Sequence, residues 1–143
     1  MKLPDVNVLL YAGNEASDDH AAARDWLEHA CNAAEGVGFA WVALLGFVRV
    51  STRRGILPDP LPVEDALSVI RNWMATPRSS ILNPTERHGS ILSRLLVATG
   101  TAGNLTTDAH LATLAIEHGA TVVSFDRDFE RFAGLDFELL GVG

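Results

Sequence analysis

The chain has 143 residues, 48% of them hydrophobic and 20% charged, which is typical of one globular domain spanning residues 1–143. Its formal net charge of −7 offers no broad basic field of the kind found on many nucleic-acid-binding proteins. Cys31 is the single cysteine, no apolar run is long enough to cross a membrane and no cleavable signal follows Met1. We therefore expect no disulfide, no zinc cluster, no membrane partner and a cytoplasmic location.

Apolar periodicity predicts that strands and helices alternate through the first half of the chain. In order, we predict a strand at 2–4, a helix starting near Asn7, a helix opened by Ser17 and ended at 35–36, a strand at 37–41, a helix at 42–51, a proline-rich loop at 52–62, a helix at 63–74 and a strand at 79–82. The strand assignments rest on short buried runs, and the helix assignments on stripes at helical spacing.

The second half continues the same alternation. We predict a helix capped by Thr85 and ended by Gly100, a helix at 106–118 closed by Gly119, a strand at 120–125, a helical turn at 127–132 and a strand at 135–140. Asp136 and Glu138 fall on one side of the last strand, as is typical of a sheet edge.

Strands separated by helices predict an α/β fold with three layers. We expect a mainly parallel sheet of four or five strands in the order 3-2-1-4-5, with helices on both faces. The switch point of such a sheet lies between the first strand and the fourth, beyond their carboxyl ends. Asp5 and Asp126 follow these two strands, and Asp108 lies in the first turn of the helix that leads into the fourth. The three carboxylates are therefore predicted to meet in one pocket.

Three converging carboxylates with no lysine among them cannot all be ionised unless a cation neutralises them. Ligands that are all oxygen favour a hard ion such as Mg²⁺ or Mn²⁺. Such an ion typically orients a phosphate, activates water and stabilises a leaving oxyanion, so the pattern predicts phosphodiester hydrolysis. The sequence has no Walker lysine loop, no dinucleotide-binding glycine motif and no nucleophile elbow, which disfavours the corresponding enzyme classes.

Three stretches together resemble the motifs of the PIN-domain ribonucleases, and more narrowly those of the VapC toxins of bacterial type II toxin–antitoxin pairs. They are Asp5-Val6-Asn7-Val8-Leu9-Leu10-Tyr11-Ala12, Thr107-Asp108-Ala109-His110-Leu111-Ala112 and Ser124-Phe125-Asp126-Arg127-Asp128-Phe129. The resemblance covers essentially the whole chain and implies a single PIN domain. It also implies an endoribonuclease that depends on Mg²⁺ or Mn²⁺ and cuts RNA such as tRNA or rRNA. A homodimer and a cognate VapB-type antitoxin that blocks the site are further implications.

The candidate site residues fall into three groups. Asp5, Asp108 and Asp126 are the candidate catalytic residues and metal ligands, and Asp128 is a further candidate ligand. Asn7, Thr107 and Ser124 are candidates for orienting these carboxylates, and Arg49 is a candidate for contacting the substrate phosphate.

Each of the charged candidates also has a purely structural interpretation. Asp5 can cap a helix, Asp108 can interact with a helix dipole, Asp126 can be a turn residue, Asp128 can cap the turn at Phe129 and Arg49 can belong to an ion pair.

Gly46 departs from the family pattern. The family usually places a glutamate on the helix after the second strand, and here Gly46 stands there, with no acid between Glu35 and Asp59. Either Asp128 or water completes the metal shell, or the metal affinity is weaker. A degenerate fold that only binds protein or RNA is therefore an alternative function, and a nuclease that cuts DNA is a lesser one. If Gly46 lines the pocket, we expect Gly46→Glu to strengthen metal binding, unless a neighbour packs closely against the glycine.

Overall fold

A computed structural model describes residues 1–141. Its strands are β1 (Lys2–Pro4), β2 (Val37–Phe39), β3 (Ser79–Ile81), β4 (Thr121–Ser124) and β5 (Asp136–Leu139). Its α-helices are α1 (Val6–Ala12), α2 (His20–Asn32), α3 (Trp41–Ser51), α4 (Val63–Met74), α5 (His88–Thr99) and α6 (Thr106–His118). Two 3-10 turns occupy Gly103–Leu105 and Arg127–Arg131. Among these described helices, none has both the length and the apolar character needed to cross a bilayer.

The strands form one parallel sheet in the order β3-β2-β1-β4-β5, which confirms the predicted topology. β1 lies at the centre, and its pairing with β4 sets Leu3 opposite Val122 and Pro4 opposite Val123. The carboxyl ends of these two strands therefore meet at the same edge of the sheet, where the predicted switch point lies.

Helices cover both faces of the sheet, as predicted. On one face α1 to α4 enclose an apolar cluster that includes Leu9, Leu44 and Phe47 together with Val37 and Phe39 of β2. On the other face α5 and α6 pack against side chains of β1 and β4; this cluster includes Leu3, Leu95, Leu111, Val122 and Phe129. Leu3 and Val122 belong to one core and Val37 and Phe39 to the other, so the central strands are buried on both faces.

Two helix starts differ from the prediction. α2 begins at His20 with Asp19 at the cap, and the Ser17 hydroxyl instead accepts a hydrogen bond from the Asp19 amide at 3.2 Å. α5 begins at His88, and Thr85 in the same way accepts from the Arg87 amide at 3.2 Å. Each hydroxyl closes a short turn ahead of its helix, which is a competing use of the same residue types.

The helix ends at Gly100 and Gly119 are confirmed. Both glycines have positive φ angles, 74° and 64°, and their amides bond back to the last turns of α5 and α6. Residues with a Cβ rarely adopt this left-handed conformation, so glycine suits both positions.

A buried polar chain that the sequence did not predict connects α5 to α6. The Glu117 side chain has no exposed area and accepts from the Thr85 amide at 2.9 Å, from the Thr85 hydroxyl, and from His88 Nδ1 at 2.7 Å. His88 Nε2 lies 3.0 Å from His110 Nδ1. Burial by itself would raise the pKa of Glu117, but the hydrogen bonds from His88 and Thr85 outweigh it and lower the pKa. The histidines, which show no ligand spacing in the sequence, serve here as structural partners.

We expect Glu117→Ala to lower the free energy of unfolding by about 2 kcal/mol, because the Thr85 amide and His88 lose their acceptor. Glu130→Ala is the matched control. Glu130 is 55% exposed, and its Oε1 lies 3.5 Å from Arg127 Nη1 in a surface ion pair, which is expected to contribute little to stability. Urea unfolding of the three proteins at pH 7 measures the difference. Equal losses for the two variants would show that the buried chain adds no stability.

Candidate active site

The topology brings the predicted carboxylates to one edge of the sheet. Asp5 directly follows β1, and Asp126 lies just beyond the end of the neighbouring β4. α6 leads into β4 and runs back against the strand direction, so its first turn, which carries Asp108, lies at the carboxyl edge of the sheet. Three residues that are distant in sequence therefore converge because of the strand order and the direction of α6.

Asp5 is 5% exposed and is held from two sides. Its Oδ1 accepts from the Val6 amide at 2.7 Å, so Asp5 caps α1 as the structural alternative requires. Its Oδ2 accepts from the Ser124 hydroxyl at 2.8 Å. Burial raises the pKa of Asp5 and the charge of Asp126 adds to the rise, while the bonds from Ser124 and Val6 oppose it. Capping and a position in the pocket are therefore compatible at this residue.

Ser124 is the fully buried centre of a polar network behind the pocket. Its hydroxyl accepts from Asn7 Nδ2 at 3.0 Å and from the Asp126 amide at 3.0 Å while donating to Asp5. Asn7 Oδ1 in turn lies 3.3 Å from the Phe125 amide, which donates to it. Asn7 and Ser124 thus contact the carboxylate side of the pocket, whereas Thr107 is exposed and hydrogen-bonds to none of its carboxylates within residues 1–141.

Asp108, Asp126 and Asp128 form a tight group. One carboxylate oxygen from each can be chosen so that all three lie within 4.8 Å of one another. Asp126 Oδ1 also accepts from the Asp128 amide at 2.9 Å, which makes Asp126 the cap of the 3-10 turn. The alternative in which Asp128 caps this turn is wrong, because Asp128 lies inside its first turn.

The group carries unbalanced negative charge. Burial, together with repulsion from Asp5, Asp126 and Asp128, raises the pKa of Asp108 to about 7. In the described part of the chain, the one cation within 4 Å of these carboxylates is Arg131, whose Nη2 is 3.7 Å from Asp128 on an exposed surface. Closely spaced oxygen donors that lack a balancing cation are the donor set that a hard divalent ion prefers, so the residues fit such an ion.

Gly46 lies in the wall of a cleft next to Asp5. The cleft has a volume of about 390 Å³ and runs between α3 and α6, with α1 at its base; its lining residues are Asp5, Val6, Val42, Ala43, Leu45, Gly46, Arg49, Thr107 and Leu111. A Cβ added at Gly46 would lie 2.7 Å from Val6 Cγ2. The glycine therefore permits close packing of α3 against α1, with a side chain and not a backbone as the close neighbour.

Arg49 is exposed at this cleft. Within residues 1–141, no carboxylate approaches it within ion-pair distance, so the ion-pair alternative is not realised there. The sequence did not identify the aliphatic walls of the cleft. The sequence feature that indicates an exposed apolar surface here is Leu45, an apolar residue one helical turn after Trp41. In the structure, the side chains of Leu45 and Trp41 are 60% and 45% exposed.

Comparisons with known proteins agree with this architecture. The family model of the PIN domain matches residues 2–135. Ribonuclease VapC37 of Mycobacterium tuberculosis (strain ATCC 25618 / H37Rv) is 50% identical over 138 residues, 96% of each chain. Ribonuclease VapC33 of the same strain is 40% identical over 135 residues, 94% of each chain.

A solved structure shows the same fold at lower identity. VapBC2 from Rickettsia felis, crystallised with a DNA fragment from its promoter, superposes with a TM-score of 0.70 at 19% identity, covering 98% of each chain. The family resemblance drawn from the sequence is confirmed. The chain therefore belongs to the PIN-domain family and, within it, to the VapC group.

Proposed function

We propose that the protein is the toxin of a toxin–antitoxin pair and acts in the cytoplasm as an endoribonuclease that depends on Mg²⁺ or Mn²⁺. The observation that carries this proposal is the convergence of Asp5, Asp108, Asp126 and Asp128 at the carboxyl edge of the sheet. The curated relatives of this length are named ribonucleases, which favours RNA over DNA as the substrate.

The residues of the site have two roles, namely holding the ion and orienting the carboxylates. Asp108, Asp126 and Asp128, with Asp5 beside them, would hold the ion. When bound, the ion would orient the scissile phosphate, lower the pKa of the attacking water and stabilise the leaving oxyanion. Ser124 and Asn7 fix the rotamer of Asp5 and the backbone at Asp126, so that the donors are preorganised. The proton that Asp108 holds below about pH 7 in the metal-free protein would leave when the cation binds.

Incubation of the purified protein with total RNA tests the proposal. Cleavage is expected with Mg²⁺ or Mn²⁺ and not with EDTA, and Asp126→Asn should remove it. The alternative, a PIN fold that binds RNA or protein without cutting, predicts intact RNA in both ions and unchanged RNA binding by Asp126→Asn. Intact RNA together with cleaved DNA would reassign the substrate class.

We also propose a VapB-type antitoxin as partner, and a homodimer as the toxin's assembly. The structural neighbour is a complex of VapB with VapC, which supports the first. The acidic pocket suits a bidentate arginine from such a partner, and Val63 and Leu67 of α4, 49% and 43% exposed, offer apolar contact to an amphipathic helix. Co-expression with the neighbouring gene should raise the soluble yield and block cleavage, and light scattering reports the assembly.

We expect Ser124→Ala to weaken Mn²⁺ binding by roughly 10-fold or more, because Asp5 loses the hydroxyl that orients it and the Asp126 amide loses an acceptor. Ser51→Ala is the matched control: Ser51 is also buried, but its hydroxyl has no partner among residues 1–141. Calorimetric titration of the three proteins measures the affinities. Equal Mn²⁺ affinity in wild type and Ser124→Ala would mean that the network does not support the metal site.

A further inference from the structure

We propose that the cleft between α3 and α6 binds one unstacked purine base of the RNA, next to the phosphate that is cut. This inference rests on the proposed function, since it assigns a base-binding position to the same site. It predicts that the protein selects substrates by the size of a single base.

The position of the cleft carries the first step. Asp5 belongs both to the carboxylate site and to the cleft lining, and Thr107 of the lining directly precedes Asp108. A phosphate held at the carboxylates therefore has the cleft as its immediate neighbour. A base attached to an adjacent sugar is the part of a nucleic acid that would reach into it, as happens in enzymes that draw bases out of the stack.

The chemistry of the walls carries the second step. Val42 and Leu45 of α3 line the cleft together with Leu111 of α6, and Val6 and Gly46, which contributes no side chain, are also part of the lining. These aliphatic surfaces suit the flat apolar faces of a base. The volume of about 390 Å³ lies within the range of small-ligand pockets, roughly 300–1,000 Å³.

The positive charge of Arg49 favours nucleic acid as the occupant of the cleft. Arg49 lines the cleft, is exposed, and lacks a carboxylate partner among the described residues, so its guanidinium is available for a phosphate of the same nucleotide. An apolar slot with a cation beside it and a phosphate-handling centre next to it complements a nucleotide. An apolar side chain of a protein partner would leave the charge of Arg49 without an anionic partner.

The lining also limits which bases the protein can distinguish. It offers the Thr107 hydroxyl and the Arg49 guanidinium as polar side chains besides Asp5, which is too few to distinguish all four bases by their hydrogen-bonding edges. Burial of apolar area favours the larger base instead. The expected selectivity is thus purine over pyrimidine at one position.

Sequencing of the cleavage products from a pool of random RNA oligonucleotides tests the inference. Wild type with Mn²⁺ should favour purine at one position next to the cut. Leu45→Ala removes one wall and should reduce that preference at least threefold, while Val97→Ala, which truncates a 79% exposed aliphatic residue of α5, should leave it unchanged. Arg49→Ala should instead slow cleavage of all sequences alike and flatten its salt dependence.

A binding measurement without metal or cleavage separates failure of this inference from failure of the proposed function. In EDTA, adenosine at millimolar concentration should shift the amide resonances of Gly46 and Leu111 more than uridine does, and Leu45→Ala should reduce the shifts. Loss of RNA cleavage in wild type, with these shifts present, would reject the nuclease and retain the purine site.

Two results overturn the inference. The first is a purine preference that Leu45→Ala leaves intact; if the same variant also escapes inhibition by its antitoxin, the cleft belongs to a protein partner. The second is the absence of adenosine-induced shifts at the Gly46 and Leu111 amides.

Discussion

Asp108→Asn is expected to abolish RNA cleavage and, in the same protein, to stabilise the metal-free fold above pH 7. Cleavage should fall by at least roughly 100-fold, the upper end of the effect of losing a residue that merely supports a metal ligand. Stability should rise because the variant no longer carries a charge that burial and three neighbouring carboxylates oppose.

The pH dependence separates this explanation from a general effect of the substitution. The pKa of Asp108 is raised from 3.8 to about 7, so the folded state holds the proton more tightly than the unfolded state. The stability from this group is fully present below about pH 4 and is lost as the pH rises through 7. Since Asp108 is partly exposed, solvent screening reduces the effect, and we expect wild type to lose about 1–2 kcal/mol across this window.

Urea unfolding in EDTA at pH 5 and pH 8 measures the effect. The pH 8 loss of wild type should be smaller in Asp108→Asn and unchanged in Asp18→Asn, where an exposed aspartate is replaced. Added Mn²⁺ should restore the stability of wild type at pH 8 and help Asp108→Asn much less. An Asp108→Asn protein with the wild-type pH slope would show that Asp108 is not the group that senses the crowded charge.

Gly46→Glu is expected to destabilise the protein by about 1–3 kcal/mol, the usual range for overpacking. Replacing a helical glycine would by itself contribute about 1 kcal/mol in the opposite direction. The steric term dominates because the new Cβ would lie 2.7 Å from Val6 Cγ2. The stronger metal binding that the sequence predicts for this variant therefore requires Val6 to move first.

A double-mutant cycle with Val6→Ala tests this account. Val6→Ala removes the Cγ2 atom, so Gly46→Ala should be destabilising in wild type and neutral or stabilising in the Val6→Ala background. In that background, Gly46→Glu should raise the Mn²⁺ affinity about tenfold, or about 1.4 kcal/mol. Additive effects of the two substitutions on unfolding would show that α1 and α3 relax around the new side chain.

The sequence predicted the parts of the site that depend on topology. Asp5 and Asp126 each follow a buried strand, and once the strand order is known these positions must be neighbours. Ser124 shares one side of an extended chain with Asp126, which favours Ser124 as a residue that orients the carboxylates. These inferences use only periodicity and chain direction, which a single sequence contains.

The parts that were missed depend on lateral distances between elements. The contact of Val6 with Gly46 is set by how closely α1 and α3 pack, and neither helix reveals that spacing. The hydrogen bond from His88 to Glu117 joins α5 to α6. It lies next to Thr85, which the sequence predicts as the cap of α5 and which instead closes a turn ahead of that helix. The aliphatic lining of the cleft is equally hard to predict, because Leu45 and Leu111 are brought to the same cleft only by the fold.

The bond between Ser124 and Asp5 also has a consequence during synthesis on the ribosome. It joins residues 119 positions apart, so the Asp5 carboxylate emerges long before the Ser124 hydroxyl that donates to it. Asp108, Asp126 and Asp128 are translated late as well, and the central pairing of β1 with β4 must wait for residues 121–124. A nascent chain that stalls anywhere before Ser124 therefore contains no assembled centre. The acidic site can therefore form only after Asp128 has been synthesised, late in translation.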